Sequence, residues 1–117
     1  MLTQSENFLF KKKEKIEVVA PGITRQLLGY NDQILMARVT FEEGSEGYVH
    51  DHFHSQVTYI ESGEFEVNID GEKKLMVGGD GFYIPPNAKH GAICRKAGVL
   101  IDVFSPVRAD FIKDNSL

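Results

Sequence analysis

Apolar positions along this chain come in short runs rich in Val, Ile, Phe and Tyr, broken by Gly, Pro, Asn and Asp, and helical periodicity is hard to find. The pattern predicts an all-β chain of ten short strands, at 15–20, 23–30, 34–41, 47–52, 56–61, 64–70, 73–77, 81–84, 90–94 and 99–105. The links Pro21-Gly22, Asn31-Asp32, Glu43-Gly44, Ser62-Gly63, Asp70-Gly71 and Gly78-Gly79-Asp80-Gly81 all carry turn chemistry, and Asp70-Gly71 is a good hairpin signal. Strands at this spacing suggest a sandwich or small barrel. After Ser105, the tail PVRADFIKDNSL has room for one helical turn with Val107, Phe111 and Ile112 on one face.

The run Val99-Leu100-Ile101-Asp102-Val103-Phe104 is apolar on both faces apart from one aspartate, and a strand buried on both faces needs cover on each. Leu100, Asp102 and Phe104 are expected to face the interior. Val99, Ile101 and Val103 form the outer set, to be covered by the amino-terminal segment or by a second copy of the chain.

A length of 117 residues suits one compact domain, 1–117, and is too short for two. The net charge of -4 gives no ground for a nucleic-acid partner. The basic run Lys11-Lys12-Lys13 with Lys15 is interrupted by Glu14 and reads as a solvated surface segment. The start, MLTQSENFLFKKKEK, puts its apolar patch before its charges, the reverse of a signal peptide, and no apolar run approaches membrane length. A cytoplasmic location with no membrane partner is therefore expected. The single cysteine, Cys94, excludes an internal disulfide and reads as a buried strand thiol.

Three of the four histidines fall within GSEGYVHDHFHSQVTYIESG, residues 44–63. His50 and His52 lie two apart, and side chains two apart on a strand share a face, so both imidazoles are expected to enter one cavity. His90, behind Pro85-Pro86-Asn87, would bring a third from a distant strand, which makes a metal cage. The alternative is three core histidines, each donating to a backbone carbonyl.

The spacing of Gly44, His50, His52, Gln56 and Gly63 resembles the first motif of the cupin superfamily, and that of Gly79, Pro85, Asn87, His90 and Cys94 resembles the second. Asn87 stands where that motif has Gly, a change the left-handed conformation tolerates, and Cys94 stands in place of Asn. A frame pairing His52 with His54 would need glycine at Glu46, which excludes it. His54 then falls in the turn between strands, as a surface or cavity-rim histidine, a substrate contact or a ligand. The resemblance implies a cupin jelly-roll barrel with the metal inside it. It also implies Gln56 as a ligand through its amide oxygen, where cupins usually carry Glu. Neutral ligands leave the charge of a divalent ion uncompensated, favouring Lewis acidity and anion binding over oxygen activation.

Asp102, on a largely apolar strand, is a candidate general acid/base whose pKa desolvation would raise; otherwise it orients a metal-bound histidine. Phe104 shares its face and would pack against a sugar ring or simply fill core. Arg108 follows Pro106, so the chain can turn its guanidinium over the barrel mouth, where it would fork onto a carboxylate; on its own it also reads as a solvated arginine.

The segments EGYVHDHFHSQVTYIESGEFEV, FYIPPNAKHGAIC and LIDVFSPVRADF together resemble the pectin-degradation cupins of the KdgF family, over about residues 27–111. That resemblance implies His50, His52, Gln56 and His90 as ligands of one divalent ion (nickel, zinc, iron or manganese), with Asp102, Phe104 and Arg108 as functional tail residues. The implied reaction converts 4,5-unsaturated uronate monosaccharides, released by pectate or alginate lyases, to the linear 5-keto-4-deoxyuronate. A homodimer is expected by analogy with other small jelly rolls. Competing readings are an iron-dependent cupin dioxygenase, against which Gln56 speaks, and a non-enzymatic sugar-binding cupin.

Overall fold

A computed structural model describes residues 3–112 of the chain. Eight strands precede one helical turn: β1 (Glu17–Ala20), β2 (Ile23–Asn31), β3 (Ile34–Phe41), β4 (Glu46–His50), β5 (Ser55–Ile69), β6 (Glu72–Val77), β7 (Gly81–Ile84), β8 (His90–Ser105) and α1 (Ala109–Ile112). All strand pairs are antiparallel. Hydrogen bonding runs in the order β1-β2-β3-β8-β5-β6, with β4 on β8 and β7 on β5.

The long strands β5 and β8 make this one sheet into two facing layers. The first half of β5 and the last half of β8 pair with each other and with β7 and β3; their other halves pair with each other and with β6 and β4. The predicted strands 56–61 and 64–70 are thus one element, as are 90–94 and 99–105. Ser62-Gly63, expected to turn, is instead a bulge where the β5–β8 register shifts. Its effect is visible in the burial pattern: Gln56, Thr58 and Ile60 point inward before it, Phe65 and Val67 after it. The irregularity changes which alternate positions face the interior, so both halves of the strand bury their apolar side. Glycine is required there, since Gly63 has φ +89° and a Cβ on it would meet Gly98 Cα at 2.7 Å.

Other turn expectations hold. Asp70 and Gly71 have φ of 50° and 86°, the positive pair of a two-residue hairpin, and Asn87 has φ 67°. Ile23, Val39, Phe41, Ile60, Phe65, Val67, Cys94 and Leu100 form the main core, and Leu35, Ala37, Phe104 and Phe111 a second cluster. The predicted helical turn forms, with Val107, Phe111 and Ile112 on the second cluster; residues 113–117 of that tail lie outside the described region.

The amino-terminal segment is tied to β2. Gln26, buried on the outer face of that strand, donates to the carbonyls of Lys11 and Glu14 at 2.9 and 3.2 Å, and the Ser5 N–H donates to Tyr30 C=O. Val99, Ile101 and Val103 remain partly exposed, beside exposed Met36, Val57 and Tyr59. Lys11, Lys12 and Lys13 are exposed, as expected. Among the described residues no helix is long and apolar enough to cross a membrane.

Candidate metal centre

The bend of the long strands brings the two ends of β8 to one place. His52 lies with its ring centroid 4.8 Å from His90, at the start of that strand, and 5.6 Å from Phe104, near its end. His50 is the register partner of His90, at 4.3 Å between centroids. The strand expected at 47–52 stops at His50, whose register partner His90 is the first residue of β8. His52 therefore enters the cavity from the connection to β5 rather than by strand alternation.

Each of these three rings is oriented by a backbone carbonyl. Nδ1 of His50 donates to Tyr48 C=O at 2.8 Å, that of His52 to His54 C=O at 3.1 Å, and that of His90 to Ala88 C=O at 2.9 Å. A carbonyl can only accept, so Nδ1 carries the proton and Nε2 is left with its lone pair. One ligand atom from each of the three lies within 4.8 Å of the others. Burial, which disfavours the charged ring, pushes His90 down to about 4 and His52 below its ordinary value.

Two features show that this donor set fits a divalent cation. Nε2 of His90 is buried with no hydrogen-bond partner, a costly state for a polar atom unless something else meets its lone pair. Gln56 Oε1 faces Nε2 of His52 at 3.0 Å. A ring already protonated at Nδ1 must become a cation to donate there, and burial opposes that. Two lone pairs at such a separation match neighbouring ligands held at about 2.1 Å from one ion.

The Gln56 amide is aimed by its own neighbours. Its nitrogen donates to Thr58 Oγ1 at 3.0 Å and to Asp102 Oδ1 at 3.4 Å, while the Thr58 hydroxyl donates to the same carboxylate oxygen at 2.7 Å. Desolvation raises the Asp102 pKa to about 6, even though the Thr58 bond, the Arg108 charge and the Gln56 bond act against the rise. The predicted facing is correct: Leu100, Asp102 and Phe104 all line a cavity of about 220 Å³ together with His50, Gln56, His90 and Arg108. Phe104 is buried there. Arg108 reaches it from the tail, with its guanidinium carbon 4.9 Å from the Phe104 ring centroid, and is bidentate to Asp110 at 2.9 and 3.1 Å.

Of the roles the sequence leaves open for His54, burial removes only that of a surface histidine. Its ring stacks on Phe53 at 4.0 Å, and its Nε2 lies 3.2 Å from Val107 C=O, which ties the connection to the tail, while His54 Nδ1, like His90 Nε2, is buried with no hydrogen-bond partner. Cys94 is a buried free thiol, as expected, and burial raises its pKa. Thr58 and Arg25 lie beyond the site residues expected from the sequence. Alternation along β5 from Gln56 points to Thr58; alternation along β2 from the core residue Ile23 puts Arg25 on the inward face but does not show which cavity it lines.

Residues 37–104 match the cupin domain family. The chain is 41% identical over 98 residues to the pectin degradation protein KdgF of Dickeya dadantii, covering 82% of this chain and 89% of that one. This protein belongs to the KdgF family of cupins. Two solved structures agree with that placement. An RmlC-like cupin from Shewanella frigidimarina superposes with TM-score 0.90 at 49% identity, covering 92% of this cupin and 97% of the other chain. KdgF from a Halomonas species gives TM-score 0.86 at 33% identity, covering 92% and 99%.

Proposed function

We propose that this cupin is a metal-dependent enzyme that converts 4,5-unsaturated uronate monosaccharides to linear 5-keto-4-deoxyuronate. The supporting observation is the position of Asp102: a carboxyl with a pKa near 6, hydrogen-bonded to the same Gln56 amide that faces the histidine cluster, in a cavity that Arg108 also lines. The KdgF relatives, one described as a pectin degradation protein, supply the substrate class.

The substrate holds an enol ether conjugated to a carboxylate, and net addition of water across its C4–C5 double bond suffices. Asp102 delivers a proton to C4 while water attacks C5; the carboxylate so formed takes the surplus proton from that water, which restores the starting acid. C5 then carries both a hydroxyl and the ring oxygen, and this hemiketal opens to the ketone. Arg108 orients the substrate carboxylate, and Phe104 packs against the ring. His50, His52, Gln56 and His90 would hold one divalent ion, which supplies Lewis acidity and substrate orientation when bound. Its four uncharged ligands leave the whole ionic charge to attract an anion.

The test is loss of ultraviolet absorbance from unsaturated uronate monomers, followed with the metal-loaded protein and after chelation. Loss that requires metal is expected. An unchanged spectrum with loaded protein would reject the reaction, and binding without turnover would favour a sugar-binding cupin.

We further propose a homodimer formed through the outer face of β3, β8, β5 and β7. Met36, Val103, Val57 and Tyr83 line up across these four strands, and exposed Ile34 and Tyr59 flank them. Exposed apolar surface that is continuous across strands is characteristic of interfaces. A monomeric mass in solution would reject this assembly.

A further inference from the structure

We propose that Arg25 is a second positioning residue for the acid group of the ligand, sharing that group with Arg108; this rests on the uronate reading above. Register places Arg25 in one row with Val39, Leu100 and Ile60, which are all buried core residues. It lines the same cavity as Asp102, Gln56 and His90. A charged side chain among inward-facing apolar residues is costly unless it is paired.

Its pairing is incomplete. Nε and one terminal nitrogen reach the Glu17 carboxylate at 3.4 and 3.5 Å, well beyond the span of about 2.7–2.9 Å usual for a charge-assisted bond. Arg108, by contrast, meets Asp110 at 2.9 and 3.1 Å. The Arg25 guanidinium carbon also lies 3.6 Å from the Phe111 ring centroid, and that of Arg108 lies 4.4 Å from the same centroid, so the two are within about 8 Å of one another. Stacking occupies the flat face of each guanidinium and the Glu17 and Asp110 carboxylates take its Nε–Nη2 edge, so the edge carrying the other terminal nitrogen, Nη1, is the one left for a ligand. Two such edges at this separation can hold one carboxylate between them. Phe111 thereby acquires a role as the platform that sets the pair, and α1 a reason to close on the cavity.

The test measures equilibrium binding of D-galacturonate, a saturated uronate, and of its methyl ester to metal-loaded wild type, Arg25→Gln, Arg25→Lys and Glu17→Gln. Wild type should prefer the acid. Arg25→Gln should weaken the acid about tenfold and leave the ester within about twofold, with Arg25→Lys between. Glu17→Gln, which removes the competing carboxylate while keeping the cation, should tighten the acid. Equal weakening of acid and ester, or none, would overturn the assignment in favour of a structural arginine. Should Arg25→Gln not fold, a Glu17→Gln protein that binds the acid no better than wild type overturns it instead. Turnover of the unsaturated monomer is scored separately, since a wild type that prefers the acid yet leaves the ultraviolet absorbance unchanged sinks the enzymatic reading and not this one.

Discussion

At the bend of β5 and β8 the inward positions are Ile60, Phe65, Leu100 and Cys94, whereas toward the strand ends they become Gln56, Thr58, Asp102 and His90. One pair of strands thus builds both an apolar closed end and a polar open end. At the closed end the side chains need only fit: Phe65 meets Phe41 edge-on at 5.1 Å and is fully buried. At the open end position is fixed by bonds whose donors and acceptors must match, from the carbonyls behind each histidine to Thr58 and Gln56 on Asp102. The difference teaches that burial alone does not separate the two roles, because Thr58 at the open end is as buried as Phe65 at the closed one. What separates them is whether a buried atom has a partner inside the protein.

The largest effect that tests this contrast belongs to the closed end. Phe65→Ala should cost about 3–5 kcal/mol of folding stability, the usual range for deleting a buried aromatic ring, with metal content per folded molecule unchanged. Denaturant unfolding and metal analysis on the same samples read both. A loss under about 1 kcal/mol, or a loss of metal from folded protein, would erase the division between the ends.

Asp102→Asn should do the reverse. Turnover should fall roughly 100-fold or more, the low end for general acid/base catalysis, with metal content retained. Stability should rise, and the sign follows from the pKa. The folded value of about 6 lies above the ordinary value of 3.8, so stability is fully present below about pH 4 and is lost as the carboxyl ionises up to about pH 6. Metal-free Asp102→Asn should therefore be more stable than metal-free wild type at pH 7, by at most about 3 kcal/mol, and the advantage should vanish near pH 4. A constant difference across that range would mean the carboxyl is not desolvated as the fold implies.

How far these two ends could be read from the chain differs as well. Alternation and turn residues made the barrel legible, down to Asn87 in the left-handed region and the helical turn at Phe111. The unity of β5 and of β8 was not, because Ser62-Gly63 and Gly98 have the composition of turns and only the approach of the two backbones makes them bulges. Motif spacing brought out His50, His52, Gln56 and His90 even though the strand argument for His52 fails beyond His50. Arg25 was hidden for a different reason. Its significance depends on a register running through β3 to Leu100, and no local pattern reports which distant rows share a cavity. The burial of His54 likewise depends on where the tail places Val107.

The smallest effect sharpens the comparison at the rim of the open end, where charge and packing act together. Arg108 forks onto Asp110 and lies over both Phe104 and Phe111. Lysine keeps the charge but loses both the planar fork and the stacking surface. If Arg108 orients the substrate carboxylate, Arg108→Lys should raise KM about tenfold and change kcat by less than about threefold, since the lost contact is made equally before and during the reaction. A fall in kcat at constant KM would move Arg108 from orientation to the chemical step. In that case Arg25 would be left as the cation that holds the acid group, and the polar end would need only one arginine for binding.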